Sequence, residues 1–406
     1  MQRKIPVSRL SIGMFVQDLD RPWIDTPFLL QGFLIDDKEQ LAQLVDCCEW
    51  VLVDTMRSVG VTFEPQYDAA PQRRANRPSF LPHSVHVTDY QDTKSVEDES
   101  PAAAGAFGRA AELLEKMAAD IRNGGNLQVD TVEIVINDMV DSVIRNPDAM
   151  MLIARLRERD MGLYGHGLSV AVGLLAFGRH LGYPKEQLAQ LGTLGMLLDI
   201  GKTKIPEQIL RKNSRLTQEE YGLVKRHAMF SVVILKQTPK MHVDVLQGVA
   251  QHHERLDGSG YPLGLRGDTI SVFGRMAAIA DTFAALTRDR PHSAAVSPHE
   301  ALQKLAGWGG TLFQMEMVEH FIQSIGVFPV GSIVELSTGV VAIVVTHNRY
   351  KRLKPRVLAV TDENKNPVEA PAMIDLLYDV SDNPTHIRRG LPSGAYDIDP
   401  REYYIA

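Results

Sequence analysis

The sequence has little that would suit a secreted, membrane-spanning or nucleic-acid-coating protein. Its 406 residues include only two cysteines, the adjacent Cys47 and Cys48. Neighbouring cysteines seldom bridge each other, so no disulfide framework is expected, and a reducing compartment such as the cytoplasm suits the chain. No run approaches the roughly 18 uninterrupted apolar residues of a membrane span. The opening residues MQRKIPVSRLSIGMFV lack the apolar core of a cleavable leader, so no signal peptide is expected. Basic residues are outnumbered, 43 Lys and Arg against 50 Asp and Glu, for a net charge of −7. Binding to DNA, RNA or an anionic membrane is therefore not expected, although a local basic site remains compatible with the balance. The chain is 44% hydrophobic and 23% charged, which is a globular composition that excludes a mostly disordered chain or a rod. At about 150 residues per domain, the length predicts two or three domains.

The periodicity of the sequence divides it into four parts. Residues 1–65 form a small α/β module: FLLQGFLI (28–35) and WVLV (50–53) suit strands, and Lys38 to Val45 has helical spacing with Leu41, Leu44 and Val45 on one face. Residues 66–105 are polar, with Pro71, Pro78, Pro82 and Pro101 and the acidic run VEDES at 96–100. Such a stretch cannot bury enough apolar area to offset its ordering entropy, so a linker with partial disorder is expected.

Residues 106–325 are helical, with about eight helices expected. Asp130 and Glu133 give a cap-like start ahead of an apolar face of Val132, Val135, Ile136, Met139, Val140 and Val143, and Gly124-Gly125 stops the helix before it. Thr217-x-x-Glu220 and Ser297-Pro298-x-Glu300 match the capping-box pattern. From 326 to 406 the period changes to two, and Ser332–Leu336, Val340–Thr346 and Arg356–Val360 suit the strands of a β-rich appendage. The fold class is α+β and predominantly helical.

Six imidazoles and carboxylates interrupt apolar stretches of the helical part: His166, Asp199, His227, His252, His253 and Asp281. A single histidine on an apolar face is ordinarily a hydrogen-bonded core residue, and a single aspartate ordinarily a cap or an arginine partner. Six such residues within 115 positions weaken that explanation, because each buried carboxylate needs a counter-charge or a metal. Mixed nitrogen and oxygen donors suit Mn, Fe, Zn or Ni better than Ca or Mg. Two such ions would polarise a phosphoryl group and generate a nucleophile from water.

Lys202, three residues after Asp199, and Arg290 are candidate phosphate contacts, although each alone would ordinarily be a solvated surface charge. Asp257-Gly258-Ser259-Gly260-Tyr261-Pro262 follows the histidine pair. It is either an ordinary turn or a wall of the site, with Tyr261 able to stack on a base.

The stretches HHERLDGSGYPLGLRG, DIGKxxIP and ADTFAALTRDRP resemble the HD-GYP domain, a branch of the HD phosphohydrolase superfamily, over roughly 130–320. The N-terminal KIxVxxLxxGMFV pattern and the β tail resemble a bacterial subset of that family. The resemblance implies a helical core, a centre of two or three metals, and hydrolysis of the bacterial second messenger cyclic di-GMP to pGpG or GMP. It makes His166 the early ligand and Asp199 the bridging carboxylate. His227, His252 and His253 complete one metal site, and Asp281 ligates the other. Lys202 contacts the scissile phosphate and Arg290 the nucleotide. Gly260, Tyr261 and Pro262 form the motif that names the family.

Three positions depart from the pattern. The HD dyad reads Leu198-Asp199, which removes a ligand from the site of His166, Asp199 and Asp281 and weakens it. Gly162 stands where trinuclear members carry glutamate, so two metals rather than three are expected. His292-Ser293 follows Arg290-Pro291 where a tyrosine and a basic residue are common. Two functions follow from these residues: a metal-dependent cyclic di-GMP phosphodiesterase that tolerates Leu198, or a catalytically degenerate protein that senses cyclic di-GMP or a signalling-protein partner. Hydrolysis of a different phosphoester is a weaker third. The resemblance is also compatible with a homodimer.

Overall fold

A computed structural model describes residues 2–21, 26, 28, 32–55, 57–61, 78–82, 85–125, 127, 129–157, 164–289, 294–348, 351–379 and 384–403. Gly162, Arg290, His292 and Ser293 lie outside these residues, as do Leu29, Leu30 and Gln31 and the stretch 62–77.

The N-terminal module is an antiparallel sheet in the order β1-β4-β2-β3, made of β1 (Gln2–Pro6), β2 (Phe15–Leu19), β3 (Phe33–Leu34) and β4 (Trp50–Asp54). Alternation in β4 turns Val51 and Val53 inward, and α1 (Lys38–Cys47) packs Leu44 onto the same core with Val16 and Ile35. The N-cap is Asp37, whose carboxylate accepts from the backbone of Gln40. Of the expected strand at 28–35, only Phe33–Leu34 is extended and paired among the described residues.

The helical body starts earlier than composition suggests. Residues 96–105, expected in the linker, open the 27-residue helix α2 (Val96–Arg122). Ser95 caps it, and the acidic run that looked like a disordered tract supplies Glu97, Asp98 and Glu99 to its first turn, where negative charge complements the helix dipole. Glu99 is buried on Arg145, with Nε–Oε2 and Nη2–Oε1 both at 2.7 Å. Phe80, Leu81, Val85 and Val96 join the main core, so the second half of the polar stretch lies against the body.

Helix α3 (Val129–Arg145) buries the face expected of it, Val132 through Val143, while Ile134 on the opposite side is exposed. Each such side chain contributes roughly 1.5–3 kcal/mol of transfer free energy. Asp130 lies within its first turn rather than at its N-cap.

Ten more helices follow: α4 (Pro147–Arg157), α5 (His166–His180), α6 (Lys185–Leu197), α7 (Glu207–Leu210), α8 (Gln218–Lys225), α9 (His227–Lys236), α10 (Val243–Gln251), α11 (Val272–Leu286), α12 (Pro298–Gly307) and α13 (Met315–Ile325). The body therefore has twelve helices among the described residues rather than about eight. Short neighbours such as α8 and α9, which meet at Arg226, share one apolar rhythm and cannot be separated by period. Thr217 and Glu220 form the reciprocal capping box. Ser297 caps α12, but Glu300 turns its carboxylate to Lys304 at 3.0 Å instead of back to the cap. Among the described residues no helix is long and apolar enough to cross a membrane.

The tail is an antiparallel sheet in the order β8-β7-β6-β5-β9, adding β8 (Pro367–Asp375) and β9 (Ile387–Leu391) to the expected β5 (Ile333–Leu336), β6 (Val341–Thr346) and β7 (Arg356–Thr361). A buried pair anchors it to α4. Asp148 accepts from Thr346 Oγ1 at 2.9 Å and His347 N at 2.8 Å, and its other oxygen lies 3.0 Å from His347 Nδ1. Burial opposes both charges, yet His347 holds Asp148 down at about 2, and Asp148 raises His347 above its ordinary value.

His347 stabilises the fold below about pH 6.5, and that contribution is lost as pH rises through its folded pKa. Asp148 contributes above about pH 4 and is lost toward pH 2. Removing one partner of a buried pair costs about 3–5 kcal/mol. Asp148→Asn is therefore expected to lower Tm most between about pH 4 and 6.5, with the gap to the parent narrowing on either side. Differential scanning fluorimetry from pH 3 to 9 checks this, and a gap independent of pH would refute the ion pair.

Candidate metal centre

The six ligand candidates come from separate helix ends and one helix interior. His166 and His227 are the first residues of α5 and α9, His252 caps the C-terminus of α10 with His253 next to it, and Asp281 lies within α11. Asp199 follows α6 and opens a 3-10 turn over 200–204 that carries Lys202.

Glycines allow the close approach of these elements. A Cβ at Gly195 would lie 2.4 Å from the Ala171 Cα, so α6 sits directly on α5. A Cβ at Gly201 would lie 2.1 Å from the His227 carbonyl oxygen. Ser231, fully buried on α9, donates to the Leu198 carbonyl and accepts from Gly201 N, both at 2.8 Å. Together these contacts hold the Asp199 turn against the start of α9.

His227, His252 and His253 converge, with one ligand atom from each lying within 4.8 Å of the others. His227 Nδ1 lies 2.7 Å from the Val224 carbonyl, and His252 Nδ1 lies 2.7 Å from that of Val249. A carbonyl can only accept, so both Nδ1 atoms carry the proton and both Nε2 atoms present lone pairs. Those Nε2 atoms are 3.3 Å apart. Two acceptors facing each other cannot hydrogen-bond, whereas two imidazole nitrogens at about 2.1 Å from one ion lie roughly 3.0–3.4 Å apart. Asp199 Oδ1 is 3.2 Å from the same His227 nitrogen. The donor set therefore fits a divalent transition metal, with the Nδ1 bonds orienting the ligands. In two of the three, burial favours the neutral form that ligation requires: His252 is pushed down to about 4 and His253 well below its ordinary value.

The other side is arranged differently. His166 Nε2 meets Asp281 Oδ1 at 2.7 Å, and His253 Nδ1 is 3.6 Å from Asp281 Oδ2. A hydrogen bond satisfies the His166–Asp281 pair without an ion. Burial would raise Asp281, but the bond from His166 holds it below the ordinary carboxylate range. Leu198, where a fourth ligand would stand, is completely buried among apolar side chains. Lys202 Nζ lies 2.6 Å from Asp199 Oδ2. Against the opposing effect of burial, the Lys202 ammonium holds Asp199 well below its usual range.

The loop after the histidine pair lies against the site. The Tyr261 ring sits 4.6 Å from that of His253, and the Lys225 ammonium lies 5.2 Å above the Tyr261 ring. Gly260 is required there, because a Cβ would fall 2.4 Å from Arg255 N. The peptide bond before Pro262 is cis. Glu254 holds the loop closed: it is 1% exposed, and its carboxylate accepts from Leu263 N at 2.7 Å and Leu265 N at 2.9 Å. Glu254 and Ser231 were not among the residues singled out from the sequence. A charged residue directly before a glycine-rich loop was the only available signal for the first, and nothing local marks the second.

A helical core that gathers imidazoles and carboxylates at its helix ends defines a metal-dependent hydrolase of the HD class, and a family model described as HD domain matches residues 151–316. A second model, described as a domain of unknown function (DUF3391), matches residues 2–132. A cyclic di-GMP phosphodiesterase of Pseudomonas aeruginosa is 32% identical over 359 residues, 88% of this chain and 84% of that protein. The response-regulator cyclic di-GMP phosphodiesterase of Xanthomonas campestris pv. campestris is 34% identical over 183 residues, 44% of this chain and 48% of that one. The 3'3'-cGAMP-specific phosphodiesterase 1 of Vibrio cholerae is 36% identical over 154 residues, 38% of this chain and 36% of that one. The chain belongs to the HD-GYP family.

Proposed function

We propose that this protein is a metal-dependent phosphodiesterase that hydrolyses cyclic di-GMP to pGpG or GMP in the bacterial cytoplasm. The observation that carries this reading is the pair of Nε2 atoms 3.3 Å apart on His227 and His252, in a chain similar along most of its length to a protein named as a cyclic di-GMP phosphodiesterase. In this reading His227, His252, His253 and Asp199 hold one ion, of Fe, Mn, Zn or Ni, and His166, Asp199 and Asp281 hold a second, weaker one. A bound ion supplies Lewis-acid polarisation of the scissile phosphate.

Asp199 remains ionised next to Lys202, whose ammonium neutralises a phosphate oxygen as charge develops. Tyr261, backed by His253, stacks on a guanine. Glu254 holds the loop so that Gly260, Tyr261 and Pro262 keep their places. Water's oxygen joins phosphorus, the bond from phosphorus to the 3'-oxygen breaks, and that oxygen leaves with a proton.

Leu198 favours a second reading, a degenerate site that binds the dinucleotide as a sensor for a signalling partner. Elemental analysis coupled to a hydrolysis assay with Mn²⁺ or Fe²⁺ separates the two. Turnover with at least one bound ion per chain is expected. Micromolar binding without pGpG or GMP would overturn the enzyme reading, and preferential turnover of 3'3'-cGAMP in the same assay would overturn the substrate.

A further inference from the structure

Lys225 ends α8 and precedes the candidate ligand His227 by two positions. Its ammonium lies 4.7 Å from the ring centre of Tyr221 on the same helix and 5.2 Å from that of Tyr261. The Tyr261 ring in turn sits 4.6 Å from that of His253. Lys225 therefore reaches the imidazole cluster through Tyr261, whereas Lys202 reaches it through Asp199.

The two lysines differ in what balances their charge. Lys202 has Asp199 at 2.6 Å. Lys225 has no carboxylate or hydrogen-bond acceptor among the described residues. The neighbours a helical lysine can reach lie three and four positions away, and here they are Tyr221, Gly222, Ala228 and Met229. Glu220, earlier on α8, is already 2.7 Å from Lys212 and accepts from Thr217 N at 2.7 Å. A lysine without an acid partner ordinarily extends its head into water. Lys225 is instead half-buried against two rings, whose faces attract an ammonium but carry no net charge. The space beside it is open: a Cβ at Gly222 would meet nothing within 4 Å, although glycine is unfavourable inside a helix. Tyr221, on the same side, is exposed.

We propose that Lys225, steadied by the rings of Tyr221 and Tyr261, binds the second phosphate of the cyclic dinucleotide, a role that rests on the phosphodiesterase reading above. A cyclic dinucleotide carries two phosphodiester groups, and each hydrolytic step opens one. Lys202, tied to Asp199, serves the phosphate being cleaved, and the other meets a cation that the metal centre does not use. That second phosphate takes no part in bond breaking, so its contact holds ground state and transition state alike. Lys225 thus selects substrates with two phosphates over simple phosphodiesters.

Steady-state kinetics of the full metal-loaded chain test this role. Lys225→Gln is expected to raise KM for cyclic di-GMP about tenfold or more, with kcat changed by less than about threefold. Lys225→Arg keeps the charge and is expected to return KM most of the way to the parent value. Bis(p-nitrophenyl) phosphate has a single phosphate, and its kcat/KM is expected to fall less in Lys225→Gln than that of cyclic di-GMP. Gly222→Glu places an acid three positions before Lys225, and is expected to raise KM for cyclic di-GMP while Tm stays at or above the parent's. An unchanged KM in Lys225→Gln, or an equal fall for both substrates, overturns the contact and leaves the phosphodiesterase reading standing. A parent that binds cyclic di-GMP without turnover overturns the enzyme reading alone. The dissociation constant then replaces KM, and weaker binding by Lys225→Gln supports the contact while equal binding overturns it. A parent that neither binds nor hydrolyses the dinucleotide overturns both.

Discussion

Asp199→Ala is expected to lower turnover of cyclic di-GMP by about three powers of ten or more, by analogy with losses of about 10²–10³ for removing a single preorganised electrostatic contact. The carboxylate has two separate neighbours: Oδ1 is 3.2 Å from His227 Nε2 and Oδ2 is 2.6 Å from Lys202 Nζ. Truncation removes a ligand facing the imidazole cluster and leaves the Lys202 ammonium without its counter-charge. Both proposed ions would then bind more weakly, and the lysine would no longer have a fixed place from which to meet a phosphate oxygen. Asp199→Asn keeps the volume and one acceptor, so it separates folding from chemistry: it is expected to retain the melting profile and still lose most of the activity. The measurement is product formation by chromatography with metal in excess, alongside metal content. Wild-type rates in Asp199→Ala would place hydrolysis elsewhere on the chain.

Leu198→His is expected to move activity the other way. The side chain at 198 is completely buried at the C-terminal end of α6, and its backbone carbonyl accepts from Ser231. An imidazole there restores a fourth protein ligand beside His166, Asp199 and Asp281. The metal-to-protein ratio should rise toward two, and turnover by about 10–100-fold, a range seen for groups that tune metal sites from outside the ligand sphere. Without metal the new imidazole is a buried polar group that costs about 1–3 kcal/mol when unpaired. The chelated variant should therefore melt below the parent and recover when metal is added. An unchanged metal ratio would show that position 198 does not face the ion, and that the carry-over of the dyad to this chain is mistaken.

The proposed ligand residues stood out in the sequence because imidazoles and carboxylates are costly where apolar side chains are otherwise found, and HHERLDGSGYP combines several rare requirements in one short stretch. The amphipathic face of α3 was equally legible, since helical period is a property of consecutive residues. The start of α2 was not. Pro101 and VEDES look like linker by composition, yet Ser95 and the acidic first turn are what a helix N-terminus favours. Composition averaged over a window hides that positional meaning.

Other features depend on partners distant in the chain. Asp148 and His347 are 199 residues apart, and Glu99 and Arg145 are 46 apart. No local pattern marks such pairs, because charge complementarity between remote residues carries no period. Ser231 is a single hydroxyl on an apolar helix, and its role appears only when the Asp199 turn lies against it. The family and the helical, metal-binding character of this protein were thus written in local chemistry: residue types, spacing and caps act over a few positions. Which Nε2 atoms face each other and which carboxylate is already satisfied by an imidazole were decided by packing, which brings distant groups to within ångströms.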